Sequence, residues 1–471
     1  MMLFSNTYYL KTIHIFSLNG ETTLKILLCQ SYLGIRSGEP LVFPLGLSYL
    51  ASLVKEKHEL HCWDPNVSEN PMRELSAVIR KVNPDVVGMS LRNVDSVFSF
   101  NRRSYYDPFV SMIKIIRENA PSCKLVVGGA GFSLFAEEIM ERNPEVDMGI
   151  VSEGEFSFAE LLENLCHPER VMNLIARKEG RLFFTGKREW ASFDLLPFPS
   201  RELFDIKQYK EHAYSVGIQS KRGCSFGCIF CANKIICGNS FRLRPPKRVV
   251  DEIEMAVNDL GINDFFFADA CFNFPLDHGR ELCKELIKRN LDINWVAAFN
   301  PAFINLPFME EAVKAGCELL SFSPDGASNS SMQFLGKNFS VNSVEKTITL
   351  AKKIDGANVG YSFLYDLPAY NDEHVLGLAH LVSKMKVVLR SKLRFLSFSK
   401  IRIYPYTQIY EIALKQGKIN RSTDLLYPIH YESDSALNPA SLLPSVLRGS
   451  LIIFDAACKK LIGDSTFKVC N

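Results

Sequence analysis

The chain has 471 residues, of which 47% are hydrophobic and 23% charged, with a formal net charge of +2. That length exceeds one ordinary core and calls for two or three domains. The near-neutral balance excludes the basic footprint of a nucleic-acid binder. Thirteen cysteines spread over an enzyme-sized chain point to a reducing cytosol, and so to a cytoplasmic protein, rather than to a disulfide scaffold.

Residues 1–24 read as a loose N-terminal extension. Met1–Phe16 is apolar but interrupted by Lys11 and His14, too short and too polar for a membrane span, and no clear cleavage site follows. Elsewhere no uninterrupted apolar run reaches roughly 18 residues, so no membrane span is expected.

From Lys25 short apolar strands alternate with amphipathic helices. Lys25–Cys29, Leu60–Asp64, Asp85–Ser90, Lys124–Val127 and Met148–Val151 read as strands, and Leu45–Lys55, Met72–Val82 and Pro108–Asn119 as helices. Continuous apolar strands in such alternation predict a Rossmann-like, doubly wound parallel sheet over 25–176. Ligands of these sheets lie off the carboxyl ends of the strands, where Ser90, Gly128-Gly129 and Ser152–Glu155 fall. Residues 177–205 read as a linker, with a hairpin-like stretch at Arg181–Thr185 and the stiffening Pro197-Phe198-Pro199-Ser200.

A second alternating series runs from 206 to 419. Its strands are about Ser215–Ser220, Phe265–Asp269, Asn294–Ala298, Glu318–Phe322, Val359–Leu364 and Arg394–Ile403, with helices such as Pro246–Leu260 and Val344–Ile354 between them. Six such units fit a partial (β/α)6 barrel of TIM type, with its chemistry at the carboxyl ends of the strands. Residues 420–471 form a small C-terminal region.

After the first strand of this series comes Arg222-Gly223-Cys224-Ser225-Phe226-Gly227-Cys228-Ile229-Phe230-Cys231. A regular [4Fe–4S] cluster takes four thiolates; three on one short loop leave one iron open to a substrate or cofactor. A zinc site is the competing reading, with Cys237 as a fourth ligand. Small buried cysteines are the third.

The CxxxCxxC spacing, with an aromatic before its last cysteine, resembles the radical S-adenosylmethionine (SAM) signature. Over about Lys25–Gly417 the chain resembles the cobalamin-binding radical SAM enzymes. Val126–Ser133 is similar to that family's paired-glycine strand end. Ser152-Glu153-Gly154-Glu155 is similar to its GEGE element, with Ser152 replacing the first glycine. Pro197–Arg201 resembles the pre-barrel linker. Asp325–Ser328 through Leu335-Gly336-Lys337 resembles the fourth-strand stretch, with Asp325 for the usual glutamate. Tyr365-Asp366-Leu367-Pro368 stands at a Gly-Leu-Pro-Gly turn, and Tyr404-Pro405-Tyr406-Thr407 at a Pro-Gly-Thr element, with Tyr406 replacing glycine.

The resemblance implies a cluster on Cys224, Cys228 and Cys231, whose open iron chelates SAM. It implies SAM contacts from Phe230, Asp269, Asn300 and Asp325, and cobalamin contacts from Ser90, Gly128, Gly129, Gly131, Glu153 and Gly154. For Asp269 a helix cap is the alternative, and for Phe230 a core aromatic. Phe265–Phe267 reads as strand core. One string, Asp372-Glu373-His374-Val375-Leu376-Gly377, matches a DxHxxG cobalt-ligand motif. It lies beyond the fifth barrel strand, so His374 is expected on a helix surface and cobalamin is expected without a protein histidine.

The implied activity is methyl transfer to an unactivated carbon of a small molecule or peptide, through a 5′-deoxyadenosyl radical and methylcobalamin. Electrons would come from ferredoxin or flavodoxin. The alternatives are a cobalamin-linked radical cyclase or rearrangement enzyme without methyl transfer, and a non-catalytic cluster-binding or regulatory protein.

Overall fold

In the computed structural model of the protein, residues 11–13, 23–33, 40–100 and 102–434 are described. Most of the expected extension 1–24, and the part of the expected C-terminal region beyond 434, lie outside the described residues. The chain divides into two units: Met1–Ser96 with Arg103–Glu211, and Val97–Arg102 with His212–Asn471.

The first unit is built on one sheet. Its strands are β1 (Lys11–Ile13), β2 (Lys25–Gln30), β3 (Glu59–Trp63), β4 (Val86–Ser90), β5 (Lys124–Gly128), β6 (Met148–Ile150), β7 (Leu174–Lys178) and β8 (Arg181–Phe184). Their order is β1-β3-β2-β4-β5-β6-β7-β8. The strands from β3 to β6 run parallel, while β1, β7 and β8 add antiparallel edges. Lys11–Ile13, inside the expected extension, therefore pairs with β3. Arg181–Phe184, inside the expected linker, closes the far edge.

The central strands are dry: Ile26, Leu27, Leu28 and Cys29 have no exposure, nor do Val86 and Val87. Such strands need cover on both faces. The helix Pro71–Val82 shows how the sequence supplies it, burying Leu75, Val78, Ile79 and Val82 along one stripe. It stops at Asn83, whose left-handed φ of 49° caps the carboxyl end. The chain moves from β2 to one side for β3 and to the other for β4. The crevice at the carboxyl ends of β2 and β4 is thus a topological switch point.

The second unit holds β9 (Val216–Ile218), β10 (Lys221–Arg222), β11 (Arg242–Leu243), β12 (Asp264–Phe267), β13 (Asn294–Phe299), β14 (Cys317–Asp325), β15 (Asn358–Leu364) and β16 (Leu393–Ser399). Six strands pair in sequential order from β9 and β12 through β16, all parallel. Helices separate them, so this is a partial barrel whose two end strands do not close on each other.

Trp295, fully buried on β13, packs against Phe267, Phe272 and Phe299. Its indole N–H is satisfied by the Ala315 carbonyl at 2.7 Å. Phe265 and Phe267 lie in this core as expected. Residues 429–431 lie along the segment after β16, Tyr431 donating to the Ile401 carbonyl at 2.8 Å.

Candidate functional site

The loop after β9 carries Cys224, Cys228 and Cys231, and three contacts clamp it. The first is local: β10 pairs with β11, and Cys224 N–H donates to the Gly238 carbonyl at 3.2 Å. Gly223 has φ +81°, and a Cβ there would lie 2.0 Å from the Ser240 carbonyl oxygen, so only glycine fits. The second comes from beyond β14. Gly336 is left-handed, a Cβ on it would lie 2.2 Å from the Gly227 oxygen, and Ile229 donates to the Leu335 carbonyl at 3.1 Å. The third is Ile409, whose N–H reaches the Ile229 carbonyl at 3.1 Å. Phe226 seats the loop on Phe241, Phe274 and Phe303.

Cys224 and Cys228 are half-buried and Cys231 is exposed. The three thiols act electrostatically on one another, and burial pushes Cys224 up from the ordinary thiol value. Among the described residues no three Cys, His, Asp or Glu side chains converge as one metal ion requires. A cubane asks for something else: one sulfur on each of three irons, on an apolar-backed loop at a rim. Cys224, Cys228 and Cys231 are that donor set in number and kind.

Asp269, past the end of β12, is buried, and its carboxylate is already engaged. It accepts from Ser220 N–H at 2.8 Å, from Ser220 Oγ, and from Lys221 N–H at 3.2 Å. Burial pushes its carboxyl up, while Lys221 and the Ser220 contacts oppose the shift. Lys221 in turn donates to the carbonyls of Phe272 and Phe274 at 2.7 and 3.1 Å. Asp269 thus ties the start of the cysteine loop to β12. Asn300, after β13, caps a short turn by accepting from Ala302 N–H at 2.8 Å. Its amide donates to Asn338 at 2.9 Å.

Between Phe322 and Asp325 the register of β14 against β15 slips, and Asp325 adopts φ +60°. Such an irregularity re-aims a side chain, and here Asp325 receives the ammonium of Lys337. Lys337 also donates to the Ser323 carbonyl at 3.2 Å and sits 5.5 Å from the ring centre of Phe230. Only 8% of its side chain is exposed. Burial alone would lower its pKa, but Asp325, Cys228 and Cys231 together hold it above the ordinary lysine value. In the sequence Lys337 only closes the Leu335-Gly336-Lys337 motif, with no role of its own. A lone lysine after a glycine carries no periodic signal, and its partner lies twelve residues back across a turn.

In the first unit, Ser90 and Gly128 end adjacent strands in register. Gly129 (φ +100°) and Gly131 are forced by the protein itself. A Cβ on Gly129 would lie 2.6 Å from the Leu91 oxygen, and one on Gly131 would lie 2.8 Å from the Asn93 carbonyl carbon. Gly128 and Gly154 are roomier, with nearest approaches of 3.4 and 3.5 Å. Glu153 and Gly154 precede the helix Glu155–Glu163.

Ser152 has φ +66°, and Tyr406, on the second unit, has φ +64°. At both positions the chain lacks the family's glycine, and both are left-handed, which explains the glycine there. Sequence reasoning also missed Gln30 and Ser31 at the end of β2. Both are buried, and Gln30 Nε2 and Ser31 Oγ have no hydrogen-bond partner, nor does Ser157 Oγ. Buried polar atoms of this kind call for a partner. Gln30 stands beside Ser90 in register, at the switch-point crevice, so this edge fits a ligand rich in acceptors such as a corrinoid.

His374 corrects an expectation. It is not on a helix surface but fully buried. Its Nδ1 accepts from Ala327 N–H at 3.1 Å, and its Nε2 faces the Leu364 carbonyl at 2.6 Å, which fixes the neutral tautomer. Gly377, the last residue of the same string, lets Ala327 approach: a Cβ there would lie 2.0 Å from its oxygen. The DxHxxG match therefore staples the helix Asn371–Leu389 to the ends of β14 and β15. Helical periodicity could not reveal this, because the hydrophobic stripe of that helix is weak.

Two family models match the chain: the B12 binding domain over residues 34–162 and the Radical SAM superfamily over residues 218–382. The chain belongs to the cobalamin-binding radical SAM enzymes. It is 24% identical over 434 residues to an uncharacterised methyltransferase of Pyrococcus horikoshii, covering 89% of each chain. It is 24% identical over 335 residues to the anaerobic magnesium-protoporphyrin IX monomethyl ester cyclase of Cereibacter sphaeroides, covering 66% of this chain and 52% of that one. In fold it is similar to the radical SAM methyltransferase TsrM of Kitasatospora setae, solved with cobalamin and a [4Fe–4S] cluster. The TM-score is 0.73 at 19% identity, over 89% of this chain and 84% of that one. Among the described residues, no helix is long and apolar enough to cross a membrane.

Proposed function

We propose that the chain is a cobalamin-dependent radical SAM methyltransferase acting on an unactivated carbon of a small-molecule or peptide substrate. The observation that carries this is the cysteine loop: three thiols on one triply clamped segment at the carboxyl ends of parallel strands, with a B12 binding domain in the same chain. Cys224, Cys228 and Cys231 would hold the cluster. Ser90, Gly128, Glu153 and Gly154, joined by Gln30 and Ser31, would line the corrinoid edge, with Gly129 and Gly131 shaping its backbone. When bound, these groups supply an electron for reductive cleavage of SAM and a transferable methyl group.

The protein's own part is orientation. Asp269 fixes the loop through Ser220 and Lys221. Phe230 borders the last cysteine, and its backbone would meet adenine. Asn300 and Asp325 hold the neighbouring strand ends. A ferredoxin or flavodoxin would deliver the electron. The relative named as a cyclase favours a second reading, radical ring formation without methyl transfer.

Anaerobic reconstitution with iron, sulfide and cobalamin tests the assignment. One cluster and one corrinoid per chain, with 5′-deoxyadenosine formed from SAM on reduction, is the expected result. Transfer of label from methyl-labelled SAM to the corrinoid separates methyl transfer from the cyclase reading. Iron content unchanged by Cys→Ala substitution at 224, 228 and 231 would remove the proposal's basis.

A further inference from the structure

We infer that Lys337 is an electrostatic positioning residue of the cluster site, parked by Asp325 so that its positive charge stands beside the three cysteines and sets the cluster's reduction potential. This rests on the cluster reading of Cys224, Cys228 and Cys231.

The geometry is built from both sides. Asp325 is turned towards Lys337 by the slipped register of β14 and its left-handed backbone. Lys337 follows Gly336, whose backbone lies against Gly227 of the cysteine loop. The same clamp that holds the loop therefore holds the lysine. The ammonium is fixed by Asp325, by the Ser323 carbonyl at 3.2 Å, and by the rings of Phe230 and Phe339 at 5.5 and 5.9 Å. Phe230 precedes Cys231 directly.

A lysine in water is a mobile, screened charge. This one is nearly dehydrated and held at one place, so its field on the sulfurs is screened little by water and offset only in part by the Asp325 carboxylate beside it. Net charge and exposure are principal determinants of cluster potential. Reduction adds one electron to a site already carrying three thiolates, and a fixed cation nearby favours it. On this reading Asp325 also acts on the cluster, through Lys337. Ion pairing with Asp325 is also what keeps a buried ammonium charged.

The test is an EPR-monitored redox titration of reconstituted wild type, Lys337→Gln, Lys337→Met and Lys337→Arg, without SAM. Both neutral variants should carry wild-type iron and show a more negative midpoint potential, while Lys337→Arg stays close to wild type. Equal midpoints in all four at equal iron content would overturn the inference. So would iron loss in both neutral variants with normal loading of Lys337→Arg, since the charge would then serve assembly. A wild type that takes up no cluster fails at the earlier step and refutes the functional reading instead.

Discussion

Replacing His374 by leucine separates a structural staple from a cobalt ligand. The change leaves the Leu364 carbonyl without its partner and the Ala327 N–H with only Ser331 Oγ, at 3.2 Å. An orphaned buried group costs about 1–3 kcal/mol and a lost hydrogen bond about 0.5–1.5 kcal/mol, so the second unit should lose roughly 1.5–4.5 kcal/mol at pH 7.5. Burial holds the imidazole pKa at about 4, against an ordinary value of 6.5. The folded pKa lies below the unfolded one, so the unfolded chain binds the proton more readily. The histidine's contribution is thus complete above 6.5 and is lost as pH falls towards 4. A span of that size corresponds to about 3 kcal/mol. The gap between wild type and His374→Leu should therefore shrink by about that amount between pH 7.5 and pH 4. His430 has a similarly depressed pKa, but it is present in both proteins and cancels in the difference. The assay is urea unfolding of the cofactor-free protein, read by hydrogen exchange in peptides of β14 and β15. A gap that stays constant with pH would refute the buried neutral imidazole. Loss of corrinoid from the reconstituted variant at pH 7.5, with the fold intact, would refute the staple role.

Ser152→Gly relieves a left-handed serine while keeping the Ser152 N–H bond to Ser133 Oγ at 2.8 Å; it should stabilise the first unit by about 0.5–1 kcal/mol, measured by thermal unfolding. Gly223→Ala drives a methyl into the Ser240 carbonyl at a positive φ; iron content after reconstitution should fall severalfold, whereas Gly154→Ala, with its nearest neighbour at 3.5 Å, should leave the melting temperature of the cofactor-free protein unchanged. Gln30→Leu removes a buried amide nitrogen that has no partner; the apo protein should keep or gain stability, and corrinoid affinity, measured by absorbance titration, should drop about tenfold, the equivalent of one lost hydrogen bond of roughly 1–1.5 kcal/mol.

The strands and most helices were legible in the chain because their signals are local. Apolar runs such as Ile26–Cys29 and Val86–Val87 can be satisfied only as buried parallel strands, and the stripe of Leu75, Val78, Ile79 and Val82 only as a helix with one packed face. The cysteine spacing is local too, so the trio could be named before any fold was known. That Ser152 and Tyr406 stand in place of a family glycine was legible too, but their left-handed backbone was not.

What the tertiary structure decided was which side chain meets which. Asp269 reads as a strand-end acid, yet its oxygens are taken by Ser220 and Lys221, 48 or 49 residues away. His374 reads as a helix-surface residue, yet 47 residues of chain fold to bring Ala327 against it. The pairing of Lys337 with Asp325 depends on a register slip that no periodicity encodes. Local sequence fixes backbone preference and the burial stripe; the partner of a polar group is set by where distant strand ends converge, and only the folded chain brings those ends together.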